Sequence, residues 1–244
     1  MHREYVRDGN GSTVFLFIHG IMGTPNHFKY FVDLVPDDWG VYNILLDGHG
    51  KKPEDISKTS MKIWKKQVDE TVEYLAERYE KIIIVAHSMG TLFAVNESVK
   101  CDKVKALFLL SIPLAIDVKF VALKNSLKVV FSKEDSFDEV TKAMKEDCGV
   151  DLDRKVWKYI GWLPRFAELM VEINRTKEIL PMLDIPATIF QSKNDELVSV
   201  KSDSYFKTNP EITYYLLENS CHFYYSEKDM QIMRNEFESL IAKL

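Results

Sequence analysis

The chain has 244 residues, of which 46% are hydrophobic and 28% are charged, and its formal net charge is −5 at pH 7. This composition is typical of a globular domain with a large core, and the negative charge gives no reason to expect nucleic acid or an anionic membrane as a partner. The N-terminus is too polar for a secretory signal, and no apolar run approaches about 18 residues. We therefore expect a cytoplasmic protein without stable membrane insertion.

Strands and helices alternate along the first half of the chain. A continuous apolar run predicts a buried strand over residues 14–18, and Thr24 followed by Pro25 predicts a helix that ends near residue 35. Ser60 is the expected N-cap of a long helix with an apolar stripe. The other elements predicted here are strands over 41–46, 82–86 and 104–110 and a helix over 89–99. This alternation predicts a mainly parallel sheet with helices on both faces, the α/β class.

Residues 113–184 break this alternation. They contain no convincing strand pattern, but Ser136 with Glu139 predicts a capping box for a helix that ends at Gly149, and Pro164 predicts a helix that reaches about residue 180. We therefore predict a core of residues 1–112 and 185–244 and a helical insertion of residues 113–184 over the strand ends. The large apolar residues of the insertion are Phe137, Met144, Trp157, Trp162, Phe166 and Met170.

Two more strands and one helix complete the predicted fold. Apolar runs predict strands over residues 187–191 and 212–217. Ser226, with Asp229 three residues further on, marks the start of a helix that runs to the C-terminus.

Residues 81–92 carry the strongest functional signal. A β-branched run over residues 82–85 leads through Ala86 and His87 to Ser88, and sequence that favours a helix follows directly. The small residues Ala86 and Gly90 flank the serine. A strand–turn–helix of this kind holds a serine hydroxyl at the carboxyl end of a strand, where it can attack a substrate carbonyl. The alternative is a buried serine in an ordinary turn. We predict that Ser88 is a nucleophile.

A nucleophilic serine needs a base, and the base needs a group that orients it. Asp195 comes just after the strand predicted over 187–191, and His222 comes just after the strand predicted over 212–217. Both should therefore lie at the same edge of the sheet as Ser88. The order serine, acid, histidine also differs from the orders found in the two best-known protease folds.

Taken together, these segments resemble the α/β-hydrolases, in particular the small bacterial carboxylesterases and monoacylglycerol lipases. The resemblance implies the α/β-hydrolase fold, with residues 113–184 as a helical cap. It favours Asp195 over its neighbour Glu196 as the acid, whereas Asp184 is a weaker substitute because it precedes its strand. The segments that carry the resemblance span residues 13 to 222 and are 19–25, 47–50, 86–90, 194–195 and 221–222.

The charge that develops on the substrate oxygen needs backbone N–H donors. The N–H of Met89 is one candidate, because this residue follows the nucleophile at a helix N-terminus. The resemblance implies the N–H of Ile21 as the other. His19 and His49 are expected to brace loops, and His87 is expected to pack beside the turn of the serine.

The resemblance implies a serine hydrolase that cleaves small-molecule carboxylic esters of short-to-medium acyl chains, as a carboxylesterase or monoacylglycerol lipase does, with the cap limiting the acyl length. An acyltransferase, a thioesterase, a C–C hydrolase or a ligand-binding relative without turnover remains an alternative on the same fold. No metal or organic cofactor is needed. Cys101, Cys148 and Cys221 lack a CxxC spacing and suggest neither a disulfide framework nor a zinc site.

Overall fold

The computed structural model describes residues 2–150 and 152–244. Its strands are β1 (Tyr5–Arg7), β2 (Thr13–Ile18), β3 (Gly40–Ile44), β4 (Lys81–His87), β5 (Val104–Leu110), β6 (Ala187–Ser192) and β7 (Ile212–Leu217). They form one seven-stranded sheet in the order β1-β3-β2-β4-β5-β6-β7. Every neighbouring pair is parallel except β1 with β3. The prediction of a mainly parallel α/β sheet is therefore confirmed.

Strand β1 was not predicted from the sequence. It has three residues, and the side chains of Tyr5 and Val6 are exposed, so it shows neither an apolar run nor a clear alternation. It joins the sheet through main-chain pairing with β3, and that kind of pairing leaves little signal in the sequence.

Helices fill the connections between the strands. In the described ranges the α-helices are α1 (Lys29–Val32), α2 (Pro53–Ile56), α3 (Met61–Ala76), α4 (Met89–Ser98), α5 (Phe120–Phe131), α6 (Glu139–Asp147), α7 (Leu163–Ile179) and α8 (Glu227–Ala242). Short 3-10 helices occur at Pro25–Phe28, Glu134–Ser136, Val156–Trp162, Leu180–Met182 and Val200–Tyr205. Among these described residues, no helix is both long and apolar enough to cross a membrane.

The predicted helix caps hold where a serine precedes a long helix. The Ser60 hydroxyl accepts the Ile63 N–H at 3.3 Å, and the Ser226 hydroxyl accepts the Asp229 N–H at 3.2 Å. These bonds satisfy N–H groups that have no partner within the first turn. The helix predicted over residues 25–35 is instead a 3-10 turn followed by the short helix α1.

Each face of the sheet has its own apolar core. Leu16 and Ile18 of β2 lie in one core with residues of α3, α4 and α7. Phe15 and Phe17 point to the other face, where the Phe15 ring packs 5.4 Å from the ring of Phe237 in α8. Because successive side chains of a strand point to opposite faces, a continuous apolar run such as residues 14–18 of β2 requires cover on both sides.

One prediction about the insertion is wrong. The capping residue of α6 is Asp138, whose carboxylate accepts the Thr141 N–H at 2.9 Å. Ser136 cannot cap this helix because it ends the preceding 3-10 turn. The helix also stops at Asp147 rather than at Gly149. The predicted helix that begins near Pro164 does occur, as α7.

Helix α7 packs beside the sheet, against α3 and α4. Its residues Leu169 and Ile173 are buried in the same core as those helices. Glu172 is also buried, where its carboxylate accepts from Lys65 Nζ at 2.6 Å and from Asn96 Nδ2 at 3.1 Å. A buried carboxylate is tolerated there because it is paired and hydrogen-bonded.

Helix α5 has a different environment. Ala122 is the one residue of this described helix that is buried. A helix that is apolar on most sides is usually covered, so this exposure is unusual. The exposed large side chains of α5 are Phe120, Val121, Leu123, Leu127 and Phe131.

Candidate active site

Ser88 stands at the turn between β4 and α4, so the predicted strand–turn–helix is confirmed. Its φ of 50° and ψ of −123° lie in a region that costs a non-glycine residue about 1–3 kcal/mol. The hydroxyl makes no capping bond to α4. A Cβ on Gly90 would lie 2.2 Å from the Ile18 carbonyl oxygen, so the close passage of α4 over β2 requires glycine there.

The structure brings Asp195 and His222 together. His222 Nδ1 lies 2.8 Å from Asp195 Oδ2, and both side chains are buried. The other carboxylate oxygen of Asp195 accepts the N–H groups of Leu197 and Val198 at 2.9 and 2.8 Å. A carboxylate can only accept, so His222 Nδ1 carries a proton and Nε2 is left free to accept one.

This pairing sets the charges of the two residues. Burial alone would raise the pKa of Asp195, but the positive charge and hydrogen bond of His222 and the two backbone N–H groups lower the pKa below its ordinary value. Burial alone would lower the pKa of His222, but Asp195 and Glu196 raise it above its ordinary value. Asp195 therefore stays ionised, and His222 binds a proton more readily than a free histidine does.

Ser88 lies at the same edge of the sheet as this pair. The three residues follow the carboxyl ends of β4, β6 and β7, which are parallel strands of one sheet. The ring of His87, the residue before Ser88, lies 4.7 Å from the ring of His222. The His222 ring therefore lies beside the turn that carries Ser88.

The two alternative acids occupy other positions. Glu196 accepts the main-chain N–H of His222 at 3.0 Å, so it contacts the backbone of the histidine. Asp184 is exposed and precedes β6, at the opposite edge of the sheet from His222. Asp195 is therefore the one of the three carboxylates whose hydrogen bond reaches the imidazole.

The loop after β2 lies against the serine. A Cβ on Gly20 would lie 2.8 Å from the Ser88 Cβ, so this loop approaches as closely as glycine permits. The Gly23 N–H donates to the Gly20 carbonyl at 2.9 Å and closes a tight turn around Ile21. At the start of α4, the Met89 N–H belongs to the first turn, where N–H groups have no partner within the helix.

Two histidines brace this loop, as predicted. His19 Nε2 accepts the Leu46 N–H at 3.0 Å, and His49 Nε2 accepts the Met22 N–H at 3.2 Å. Burial lowers the pKa of His19 well below its usual value and lowers the pKa of His49 to about 4. Both rings are therefore neutral near pH 7, which leaves the accepting nitrogen of each free of a proton.

The insertion is fastened to the same loop. The Gly149 N–H donates to the Met22 carbonyl at 2.7 Å, and the Gly50 N–H donates to the Gly149 carbonyl at 2.6 Å. A Cβ on Gly149 would lie 1.9 Å from the Gly23 carbonyl oxygen. These contacts were not expected, because residue 149 was predicted as the end of a helix.

An apolar cavity of about 320 Å³ lies within the insertion. Met22 lines it from the loop after β2, whereas Leu127 and Phe131 line it from α5 and Trp162 lines it from the segment before α7. Trp162 is also buried, and its Nε1–H donates to the Pro53 carbonyl at 2.7 Å. Of the predicted large apolar residues of the insertion, Met144, Trp162 and Phe166 line the cavity. Phe137, Trp157 and Met170 do not line it, and the last two are exposed.

Other reactive residues are less suited to chemistry. The thiols of Cys101, Cys148 and Cys221 are free. Burial and the nearby carboxylates of Glu196 and Asp195 raise the pKa of Cys221 to about 11, so this thiol stays protonated beside the histidine. Among the described residues there is no group of three histidine, cysteine, aspartate or glutamate side chains that could hold a metal ion.

Sequence comparison places this chain in a known family. The family model described as "Serine aminopeptidase, S33" matches residues 10–229. A thermostable monoacylglycerol lipase from Bacillus sp. (strain H-257) is 30% identical over 82 residues. That match covers 33% of this chain and 33% of the length of this curated relative.

Solved structures share the fold over nearly the whole chain. A structure from a report on LipS and LipT, two metagenome-derived lipolytic enzymes, has a TM-score of 0.76 at 16% identity and covers 100% of this chain and 98% of its own. A monoacylglycerol lipase from Paleococcus ferrophilus has a TM-score of 0.69 at 19% identity, and the match covers 99% of both chains. At these identities the likeness shows the α/β-hydrolase fold.

Proposed function

This chain belongs to the serine aminopeptidase S33 family of α/β-hydrolases, and on that premise we propose that it hydrolyses carboxylic esters through an acyl-enzyme on Ser88. The observation that carries the proposal is the 2.8 Å hydrogen bond between His222 Nδ1 and Asp195 Oδ2, at the sheet edge where the strained turn holds Ser88. A serine, a histidine and a buried carboxylate in this arrangement are the parts of a catalytic triad.

In the first half-reaction the Ser88 hydroxyl attacks the ester carbonyl, and His222 Nε2 takes its proton. Asp195 holds the imidazole with Nδ1–H toward the carboxylate and stabilises the imidazolium that forms. The imidazolium then gives its proton to the leaving alcohol as the ester C–O bond breaks. In the second half-reaction water replaces the alcohol, and the same proton transfers release the acid and restore Ser88.

The backbone N–H groups of Ile21 and Met89 are the proposed donors to the developing oxyanion. Met89 brings the N-terminal end of α4, whose dipole favours negative charge. Ile21 lies in the loop that the Gly20–Gly23 turn, His49 and Gly149 hold beside Ser88. Donors held in advance need no rearrangement during the reaction, and each is worth about 10²–10³ in rate.

The cavity in the insertion is the proposed acyl pocket. A water molecule takes about 30 Å³, so a cavity of 320 Å³ has room for on the order of ten groups of that size. That volume suits one short-to-medium acyl chain and is too small for the three chains of a triglyceride. The charged residues of the described lining are Asp153, whose carboxylate pairs with Lys158 Nζ at 2.6 Å, and Arg154. An apolar acyl group therefore fits the lining better than the charged amino terminus of a peptide.

We place the cap at residues 113–162, which is shorter than the span of 113–184 proposed from the sequence. Residues 120–162 supply nearly all of the cavity lining, together with Met22 and Phe166. Helix α7, by contrast, buries Leu169 and Ile173 against α3 and α4 in the main core. It therefore belongs with the α/β-hydrolase domain.

A panel of p-nitrophenyl esters of graded acyl length tests this function. Wild-type kcat/KM should rise with chain length by about 0.8 kcal/mol per buried methylene and then break when the pocket is full. Ser88→Ala should lose labelling by a fluorophosphonate, and its kcat should fall by about 10⁶. Turnover or labelling that persists in Ser88→Ala, or a flat chain-length profile with efficient triglyceride cleavage, would contradict the proposal.

A further inference from the structure

A second Asp–His pair lies behind the first. His27 Nδ1 lies 2.8 Å from Asp147 Oδ2, and the two side chains are 2% and 15% exposed. His27 belongs to the 3-10 turn after β2, whereas Asp147 is the last residue of α6 in the insertion. The pair therefore joins the proposed cap to the core within the protein interior.

The His27 ring packs against the His87 ring at a tilt. Their centroids are 4.0 Å apart and their planes differ by 32°. The bond to Asp147 fixes the rotation of the His27 ring, because the carboxylate accepts the proton on Nδ1. On its opposite side, His27 Nε2 lies 3.4 Å from the Tyr225 hydroxyl. The His27 ring is thus held at both nitrogens and provides a fixed surface for His87.

His87 in turn holds the main chain of His222. Its Nε2 lies 3.0 Å from the His222 carbonyl oxygen, which can only accept, so His87 carries its proton on Nε2. Among the described residues, His87 Nδ1 is buried without a hydrogen-bond partner. One hydrogen bond and the contact with the His27 ring therefore set the orientation of the His87 ring.

The result is a continuous series of contacts that ends at the proposed base. We propose that Asp147 and His27 are positioning residues, which act through His87 to fix the backbone of His222. This inference rests on the proposed function of His222. If so, His222 is aligned only when the proposed cap is packed on the core, because Asp147 reaches His27 only when the end of α6 is in place. A misplacement of about 1 Å in an active site can cost about 10²-fold in rate.

The rate of phosphonylation of Ser88 by a fluorophosphonate tests the inference, because it reports activation of the serine without an acyl-chain substrate. Asp147→Leu should lower this rate, per titrated active site, by roughly tenfold or more, whereas KM for a short soluble ester should change little. Asp147→Asn should restore most of the rate, since its amide oxygen can still accept the His27 proton. Glu146→Leu is the matched control, because Glu146 is the residue next to Asp147 and its carboxylate pairs with Lys29 at 3.5 Å on the surface. Loss of the Glu146 carboxylate should not slow phosphonylation.

A double-mutant cycle separates positioning from general stability. If Asp147 acts through His87, then Asp147→Leu should slow phosphonylation far less in a His87→Ala background than in wild type. Equal losses in both backgrounds, or equal losses for Asp147→Leu and Glu146→Leu, would overturn the inference. If Asp147→Leu fails to fold, His27→Phe is the second variant, because it keeps a ring against His87 without the bond to Asp147. It should also slow phosphonylation, and by far less in the His87→Ala background. A wild-type rate of phosphonylation in His27→Phe would also overturn the inference.

The same experiment keeps this inference apart from the proposed function. Labelling that survives in Ser88→Ala would refute the acyl-enzyme on Ser88. Labelling that requires Ser88 but is equally fast in wild type and Asp147→Leu would refute the positioning role and leave the proposed function intact.

Discussion

The main-chain N–H of His222 donates to Glu196 Oε2 at 3.0 Å, while its ring donates to the adjacent residue, Asp195. Glu196 is 3% exposed, so water does not compete for this bond. Two neighbouring carboxylates therefore hold one histidine, one by the ring and the other by the backbone.

This division predicts different outcomes at residue 196. Glu196→Gln keeps an acceptor oxygen for the His222 N–H, so kcat should fall by less than about tenfold. Glu196→Ala leaves a buried N–H without a partner, at a cost of about 1–3 kcal/mol in the free energy of unfolding. Thermal unfolding and kcat measured on the two variants check this, and equal behaviour of Gln and Ala would show that the bond is unimportant.

Substitution of the acid should be far more severe. Asp195→Asn keeps the size of the side chain but favours the wrong tautomer of His222, so kcat should fall by about 10⁴ with the fold retained. Asp184→Asn is the control, because Asp184 is exposed at the opposite edge of the sheet and its loss should leave kcat unchanged. Loss of activity in the Asp184 variant, with a normal rate for Asp195→Asn, would show that Asp184 and not Asp195 is the acid.

The pH dependence of kcat/KM follows from the raised pKa of His222. The base must be neutral to accept the Ser88 proton, so kcat/KM should fall as the pH drops through that pKa. Because Asp195 and Glu196 raise it, the midpoint should lie above the ordinary histidine value of about 6.5. The residual activity of Asp195→Asn should have its midpoint at lower pH. A wild-type midpoint below about 6 would contradict the pairing.

Substitution of a cavity residue should change the preferred acyl length. Leu127 is half exposed and lines the cavity from α5, so Leu127→Trp should make kcat/KM stop rising at a shorter acyl chain. For longer chains, each methylene that the larger side chain excludes should lower kcat/KM by about fourfold relative to wild type. Val121→Trp, on the same helix but outside the cavity lining, should leave the break unchanged. Trp162→Ala is less informative, because Trp162 is buried and bonded to Pro53 as well as lining the cavity. A break that stays in place in Leu127→Trp would place the acyl chain elsewhere.

Local sequence patterns predicted the core well. Strand β2 was predicted because its residues 14–18 form a continuous apolar run, which is buried on both faces. Helices α3 and α8 were predicted because Ser60 and Ser226 form real caps. The residues of the proposed triad were predicted for the same reason, since each follows the end of a strong strand. Such features depend on a few consecutive residues.

Features made by distant contacts were not predictable in this way. Asp147 lies 120 residues from His27, and the sequence around neither residue predicts that the two form a pair. The same holds for Gly149, whose requirement for glycine comes from Gly23. Helix α7 was assigned to the cap because it follows the other helices of the insertion, and its packing against α4 has no signal in the local sequence.

The positive φ of Ser88 has a consequence for the heat resistance of the protein. The turn stores about 1–3 kcal/mol that glycine would not, while glycine costs about 0.5–1 kcal/mol more in lost chain entropy. An inactive Ser88→Gly protein should therefore melt at a higher temperature than the active one. Selection for turnover and selection for thermal stability therefore oppose each other at this residue. The protein keeps the serine hydroxyl and is less stable to heat than the same backbone would be with glycine there.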